Sequence, residues 1–132
     1  MAMIHDAADH GDVTQVRKII EAGVDVNVPA EDGWPALNIA ALQGHAAVVE
    51  CLIKAGANVN ATNPGGSRSL FNAAQGGYLA IVKLLIAGGA QIDAQSSDGG
   101  RALGIAVQEG HKDVVAFLID AGAEVDAPGA NG

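Results

Sequence analysis

Aromatic, sulfhydryl and basic side chains are all scarce in this chain. Of its 132 residues, one is Trp, one Tyr and two are Phe, while hydrophobic residues make up 49%. Any core must therefore be built from Ala, Val, Ile and Leu. Disorder is excluded as the main state, because so apolar a chain can bury enough surface to offset the entropy of ordering it. A lone cysteine, Cys51, can form neither an intramolecular disulfide nor a structural zinc site on its own, which fits a reducing compartment. Seven Lys and Arg stand against fifteen Asp and Glu, a net charge of -8. Phosphate backbones and anionic headgroups repel such a chain, so neither nucleic acid nor a membrane surface is expected as a partner. No apolar run reaches the roughly 18 to 20 residues that span a bilayer. The start, Met1 to Asp6, lacks the basic and apolar stretches of a secretory signal. These absences lead to the expectation of a cytoplasmic protein, and the length to that of a single domain over residues 1–132.

Glycine is plentiful, with 18 residues, and its placement is regular. Gly11, Gly44, Gly77 and Gly110 lie 33 residues apart, as do Gly23, Gly56, Gly89 and Gly122. The same period holds for Ala7, Ala40, Ala73 and Ala106, for Val16, Val49, Val82 and Val115, and for Ile20, Ile53, Ile86 and Ile119. A fixed period of this length marks a stacked array. Four units follow, at about residues 1–29, 30–62, 63–95 and 96–128.

Residues 35–62 show the plan of one unit. Pro35 suits a first helical position, Ala36 to Leu42 reads as a short helix, and Gly44 supplies a left-handed stop. His45 to Lys54 carries Val48, Val49, Leu52 and Ile53 at helical spacing before Gly56 ends it. Ala57 to Thr62 alternates polar and apolar residues and predicts an extended segment running into the turn at Pro64-Gly65-Gly66. No such unit can bury its apolar face alone, so the units must stack.

These residues resemble the ankyrin repeat over nearly the whole chain. The Gly-His step recurs as Gly44-His45 and Gly110-His111, the Val-Val step as Val48-Val49 and Val114-Val115. The hairpin entry recurs as Ala57-Asn58-Val59-Asn60, Ala90-Gln91-Ile92-Asp93 and Ala123-Glu124-Val125-Asp126. The family's Thr-Pro-Leu-His signature reads Pro35-Ala36-Leu37-Asn38, Arg68-Ser69-Leu70-Phe71 and Arg101-Ala102-Leu103-Gly104. Only the leucine survives, which leaves open in every repeat what makes the hydrogen bonds of the family's Thr and His. The resemblance implies an all-α repeat solenoid of four ankyrin-like helix-turn-helix units joined by β-hairpin loops. It also implies a non-catalytic protein-binding module, or else a scaffold fragment of a longer repeat protein.

Ankyrin-like arrays bind through hairpin tips and inner helices. Carried onto this chain, the partner-binding positions are Glu31, Asp32, Trp34, Leu42 and Gln43; Pro64, Ser67 and Gln75; and Ser97, Asp98, Gln108 and Glu109. Trp34, the sole tryptophan, sits beside a turn glycine away from the apolar helix stripes, where it either anchors an interface or covers Pro35 and the neighbouring hairpin. Arg68 and Arg101 share a rung in adjacent units, where they could grip a partner's carboxylate or phosphate or pair with Asp98 or Asp32. The acidic balance points to a partner with a basic surface. The family's asparaginyl hydroxylation pattern fits Asn60, with Leu52 eight residues and Asn58 two residues before it; the competing role for Asn60 is to satisfy turn backbone groups.

Metal and cofactor chemistry are not expected. His5, His10, His45 and His111 show no ligand spacing, and Gly99 to Gly104 lacks the ending of a phosphate loop. Cys51 shares its rung with Leu84 and Phe117 and reads as core. The ends of the array differ. Gln15 and Lys18 are polar on rungs that are Val48, Ile81 and Val114, or Cys51, Leu84 and Phe117, in later units, as a terminal cap requires. Unit 4 shows no such substitution, so Val107, Val115 and Ile119 are expected to form an uncapped apolar face and to drive self-association.

Overall fold

The computed structural model describes residues 3–125. Eight helices follow in pairs: α1 (Met3–His10) with α2 (Val13–Glu21), α3 (Ala36–Gln43) with α4 (Ala46–Lys54), α5 (Ser69–Gly76) with α6 (Leu79–Ala87), and α7 (Ala102–Gln108) with α8 (Lys112–Asp120). Each helix spans only two to three turns, too few to be stable alone in water. Their stability comes from two rows of contacts. The inner helices α1, α3, α5 and α7 pack in chain order, and so do the outer helices α2, α4, α6 and α8. This is the expected solenoid of helix pairs.

Residue size explains the two rows. The inner helices bury Ala7 and Ala8, Ala40 and Ala41, and Ala73 and Ala74, side chains small enough for close helix approach. The outer helices bury larger stripes, Val48, Val49 and Leu52 in α4 and Ile81, Val82 and Leu85 in α6. Full burial of one such leucine contributes about 2 kcal/mol, and the inner helices add Leu37 and Leu70 beside their alanines. Cys51 is half-buried against the core, on the rung it shares with Leu84 and Phe117.

The expected helices match closely, with two corrections. Pro35 is not a first-turn residue: its ψ of 148° is extended, and helix α3 begins at Ala36. The segment from Ala57 to Thr62 is not extended throughout. Asn58 to Asn60 forms a turn, in which the Asn60 amide donates to Asn58 Oδ1 at 3.0 Å while Val59 is buried. Alternation of polar and apolar residues here comes from a turn with one inward side chain, not from a strand. Strand pairing among the described residues is confined to the antiparallel bridge Thr62–Arg68.

Adjacent pairs interlock at the first glycine of the 33-residue ladder. Gly44 and Gly77 adopt left-handed backbone (φ 82° and 74°) that only glycine takes without strain. They also seat a ring from the next pair. A Cβ at Gly11 would lie 2.6 Å from His45, one at Gly44 2.8 Å from Tyr78, and one at Gly77 2.6 Å from His111. Gly110 has the same backbone (φ 78°), yet a Cβ there meets nothing within 4 Å. These two glycines separate conformational strain from packing. Gly110→Ala should cost about 1 kcal/mol, the left-handed penalty, and Gly77→Ala about 1 to 3 kcal/mol more, because His111 must move. Urea midpoints for the two variants check this; equal losses would mean that the ring swings aside freely.

Candidate functional site

Hydrogen bonds between successive pairs fix the loops that carry the tips. Asn27 Nδ2 donates to the Gly56 carbonyl at 3.1 Å, and its Oδ1 accepts from the Asn58 amide at 2.8 Å. One unit later, Asn60 Nδ2 donates to the Gly89 carbonyl at 3.2 Å and Oδ1 accepts from the Gln91 amide at 2.9 Å. Asp93 accepts from the Glu124 amide at 3.1 Å on the same rung. Asn60 thus satisfies backbone groups of the following unit, a longer reach than the local turn role expected of it.

The histidines act across units as well. His45 Nε2 donates to the Asp9 carbonyl and His111 Nε2 to the Gln75 carbonyl, both at 2.9 Å, so each ties down the end of the preceding inner helix. Neither side chain caps its own helix. The hydrogen bond that the signature histidine would make also persists where its residue allows. His5 Nε2 donates to the Val28 carbonyl at 2.7 Å, and Asn38 Nδ2, 33 residues on, donates to the Ala61 carbonyl at 2.9 Å. Phe71 and Gly104 on that rung have no donor to offer. The role left open in every repeat is therefore filled in the first two.

Arg68 and Arg101 sit half-buried at the loop bases, on the rung of the signature threonine. Arg68 Nε donates to the Asn60 carbonyl at 3.1 Å and Nη1 to that of Gln95 at 3.4 Å; Arg101 Nε donates to the Asp93 carbonyl at 3.0 Å. A guanidinium reaches where a threonine hydroxyl would have to be local, and it cross-links neighbouring loops.

The tips close on themselves and on each other. The Ala30 amide donates to the Trp34 carbonyl at 2.9 Å, Asn63 to Ser67 at 2.8 Å and Ser96 to Gly100 at 2.8 Å. Asp32 accepts from the Trp34 amide at 3.1 Å. Ser97 Oγ donates to the Gly65 carbonyl at 2.7 Å, and a Cβ at Gly33 would lie 3.0 Å from Pro64. Pro64 and Ser97 therefore hold tip against tip. Glu31, Gln75, Gln108 and Glu109 are exposed along the same side of the stack.

One stretch of that surface is a groove of about 340 Å³ between the first two helix pairs. It brings together Asp32, Trp34, Leu42 and Gln43 of the expected set. It adds Asp6, Asp9 and His5 from α1 and Ile39 from α3, which the sequence reading passed over. The signal was present: Asp9 lies 33 residues before Leu42, and Asp6 33 before Ile39. Leu42 is 41% exposed and Trp34 half-buried, giving the groove an apolar wall under an acidic rim. Gln43 Nε2 donates to Asp9 Oδ1 at 2.8 Å and bridges the two pairs across it.

The family model for ankyrin repeats, three copies, matches residues 4–96 and 49–128. This chain belongs to the ankyrin-repeat family. Ankyrin repeats are in general protein–protein interaction modules. A search of curated proteins finds no match for the sequence. None of the described helices is long and apolar enough to cross a membrane.

At the tip that opens the fourth ankyrin unit, Asp98 Oδ1 accepts from Ser96 Oγ at 2.5 Å and from the Gly100 amide at 3.0 Å. The Ser96 hydroxyl first, and the Gly100 amide second, hold its carboxyl below the ordinary carboxylate value. A depressed carboxylate stabilises the fold above its unfolded pKa, and the contribution is lost as pH falls through the lower folded value. An NMR titration of the Asp98 carboxyl should therefore give a midpoint below the usual aspartate range, and Ser96→Ala should raise it. An unmoved midpoint in the variant would mean that the Gly100 amide alone sets the shift.

Proposed function

We propose that this ankyrin array is a non-catalytic module that binds a partner protein along its inner helices and hairpin tips, and that the partner presents a basic surface. The observation that carries the reading is the groove between the first two pairs, where Trp34 and Leu42 form an apolar wall beside Asp6, Asp9 and Asp32. Half-buried aromatic anchors contribute most to interface energies, and surrounding charges steer encounter. The remaining positions on this surface, Glu31, Pro64, Ser67, Arg68, Gln75, Ser97, Asp98, Arg101, Gln108 and Glu109, extend it along the stack. The alternative is a scaffold segment that only spaces other parts of a longer protein. Hydroxylation of Asn60 fits either reading, and would act on a side chain that already joins two units.

Capture from a native-host lysate with the full chain as bait, followed by mass spectrometry, separates the two. A partner retained by the wild type should bind Trp34→Ala with about 2 kcal/mol or more less affinity, at nearly unchanged melting. Equal binding by the variant would favour the spacer. Charge reversal at Glu31, Asp32 and Asp98 together should slow association, most at low salt.

A second reading concerns the last pair. Val107 is 60% exposed, whereas Ala8, Ala41 and Ala74 on its rung are fully buried by the pair that follows them. Ile119 is 45% exposed, and Val115 is half-buried where Val16, Val49 and Val82 are fully buried. This face supports self-association. Sedimentation at rising concentration should show oligomers that Val115→Gln with Ile119→Gln suppresses; a wild type that stays monomeric throughout would end that reading.

A further inference from the structure

The groove between α1 and α3 has a chemistry narrower than a basic surface in general. Its three carboxylates, Asp6, Asp9 and Asp32, are joined in the lining by no Lys or Arg. Among the described residues no hydrogen-bond donor reaches the Asp6 carboxylate; only its backbone carbonyl is engaged, by His10 Nδ1 at 2.8 Å. The floor adds another acceptor. His5 is 7% exposed, its Nε2–H is given to the Val28 carbonyl, and in that tautomer Nδ1 is a bare lone pair without a partner. Buried polar atoms are normally satisfied, and His5 Nδ1 is closed to solvent as it stands, so a donor from the groove reaches it only with a small shift of the lining.

A metal ion is not that donor. Among the described residues no three His, Cys, Asp or Glu side chains gather closely enough to hold one. Acceptors that are numerous but spread apart suit an extended cation with several N–H groups, and the guanidinium offers five in a plane. Trp34 supplies an aromatic face on which such a plane can stack, and Leu42 an apolar surface for an aliphatic stem. At about 340 Å³ the groove lies at the small end of ligand clefts, roughly 300 to 1,000 Å³. A side chain fits that space better than a folded surface does.

We propose that this groove is an arginine pocket, which seats one arginine side chain of the partner between Trp34 and the carboxylates of Asp6, Asp9 and Asp32. The proposal rests on the reading of the groove as a partner-binding surface. An ammonium group on a flexible stem, with three donors and no plane, satisfies fewer of these acceptors and stacks less well.

Trp34 is the only tryptophan, so its fluorescence reports on the pocket directly. The full chain is titrated with acetyl-Gly-Leu-Arg-Leu-Gly-amide and with its lysine and citrulline counterparts, citrulline keeping the shape of arginine without the charge. The arginine peptide should give a saturable change, the lysine peptide about tenfold weaker binding, and the citrulline peptide no saturable change. Asp6→Asn with Asp9→Asn should abolish the arginine response at unchanged melting, since both positions are exposed. The response should also weaken with added salt. Equal binding of the arginine and citrulline peptides, undiminished binding by the double variant, or no saturable response at millimolar arginine peptide would each overturn the proposal. A partner protein that the wild type captures and Trp34→Ala loses, alongside a failed arginine titration, would leave the groove reading standing and remove the arginine alone.

Discussion

Burial between neighbouring helix pairs is the constraint from which the rest of this structure follows. A pair of helices of two to three turns has no interior of its own, and each apolar stripe here is covered by the pair before it or the pair after it. Ala41 is fully buried because α5 lies over α3, and Val49 because α6 lies over α4. Among the described residues no pair follows α7 and α8, and Val107 on the same rung stands 60% exposed, with a valine in place of alanine. Stability in such an array is a sum over neighbours, so a change at one interface is felt mainly by the two pairs that share it.

Alanine and glycine make that burial possible by letting backbones approach, and polar side chains then fix the register. The rings of His45, Tyr78 and His111 rest on Gly11, Gly44 and Gly77 of the preceding pair. The two histidines add hydrogen bonds to carbonyls that end the preceding inner helices, groups a short helix would otherwise leave to solvent. Asn27 and Asn60 each satisfy a donor and an acceptor in the next loop. These contacts reach one unit forward or back, so they orient neighbours and place successive tips in a row.

The ordered row of tips, with the inner helices beside it, creates the surface that holds the groove. Trp34 belongs to a loop, Leu42 to α3, and Asp6 and Asp9 to α1; no local segment contains the groove, and it exists only because the first two pairs stack. Three of the chain's fifteen acidic side chains meet there beside an apolar wall. Such a wall excludes water from one side of the charges, which strengthens their pull on a cation relative to the same charges in open solvent.

The repeat, the helix pairs, the left-handed glycine stops and the acidic balance were legible in the sequence, because each depends on residue type at fixed spacing. Ala40 and Ala73, or Gly44 and Gly77, mean the same thing at every recurrence. Legibility failed where a residue's partner lies in another unit or where alternation imitates a strand. Asn58 to Asn60 reads as extended and folds as a turn, since its period of two arises from side chains that bond loop backbone around one buried valine. Arg68 and Arg101 read either as grips for a partner or as partners of nearby acids, and they reach back eight residues to loop carbonyls. Asp6 and Asp9 were hidden because the first pair is recognisable from its polar outer residues as an end, whereas its inner helix lines the groove. Sequence by itself determined which side chains are small, apolar or charged at each rung. Only the stacked structure decided which of them meet, because contacts across 23, 31 or 36 residues are set by how one pair settles on the next.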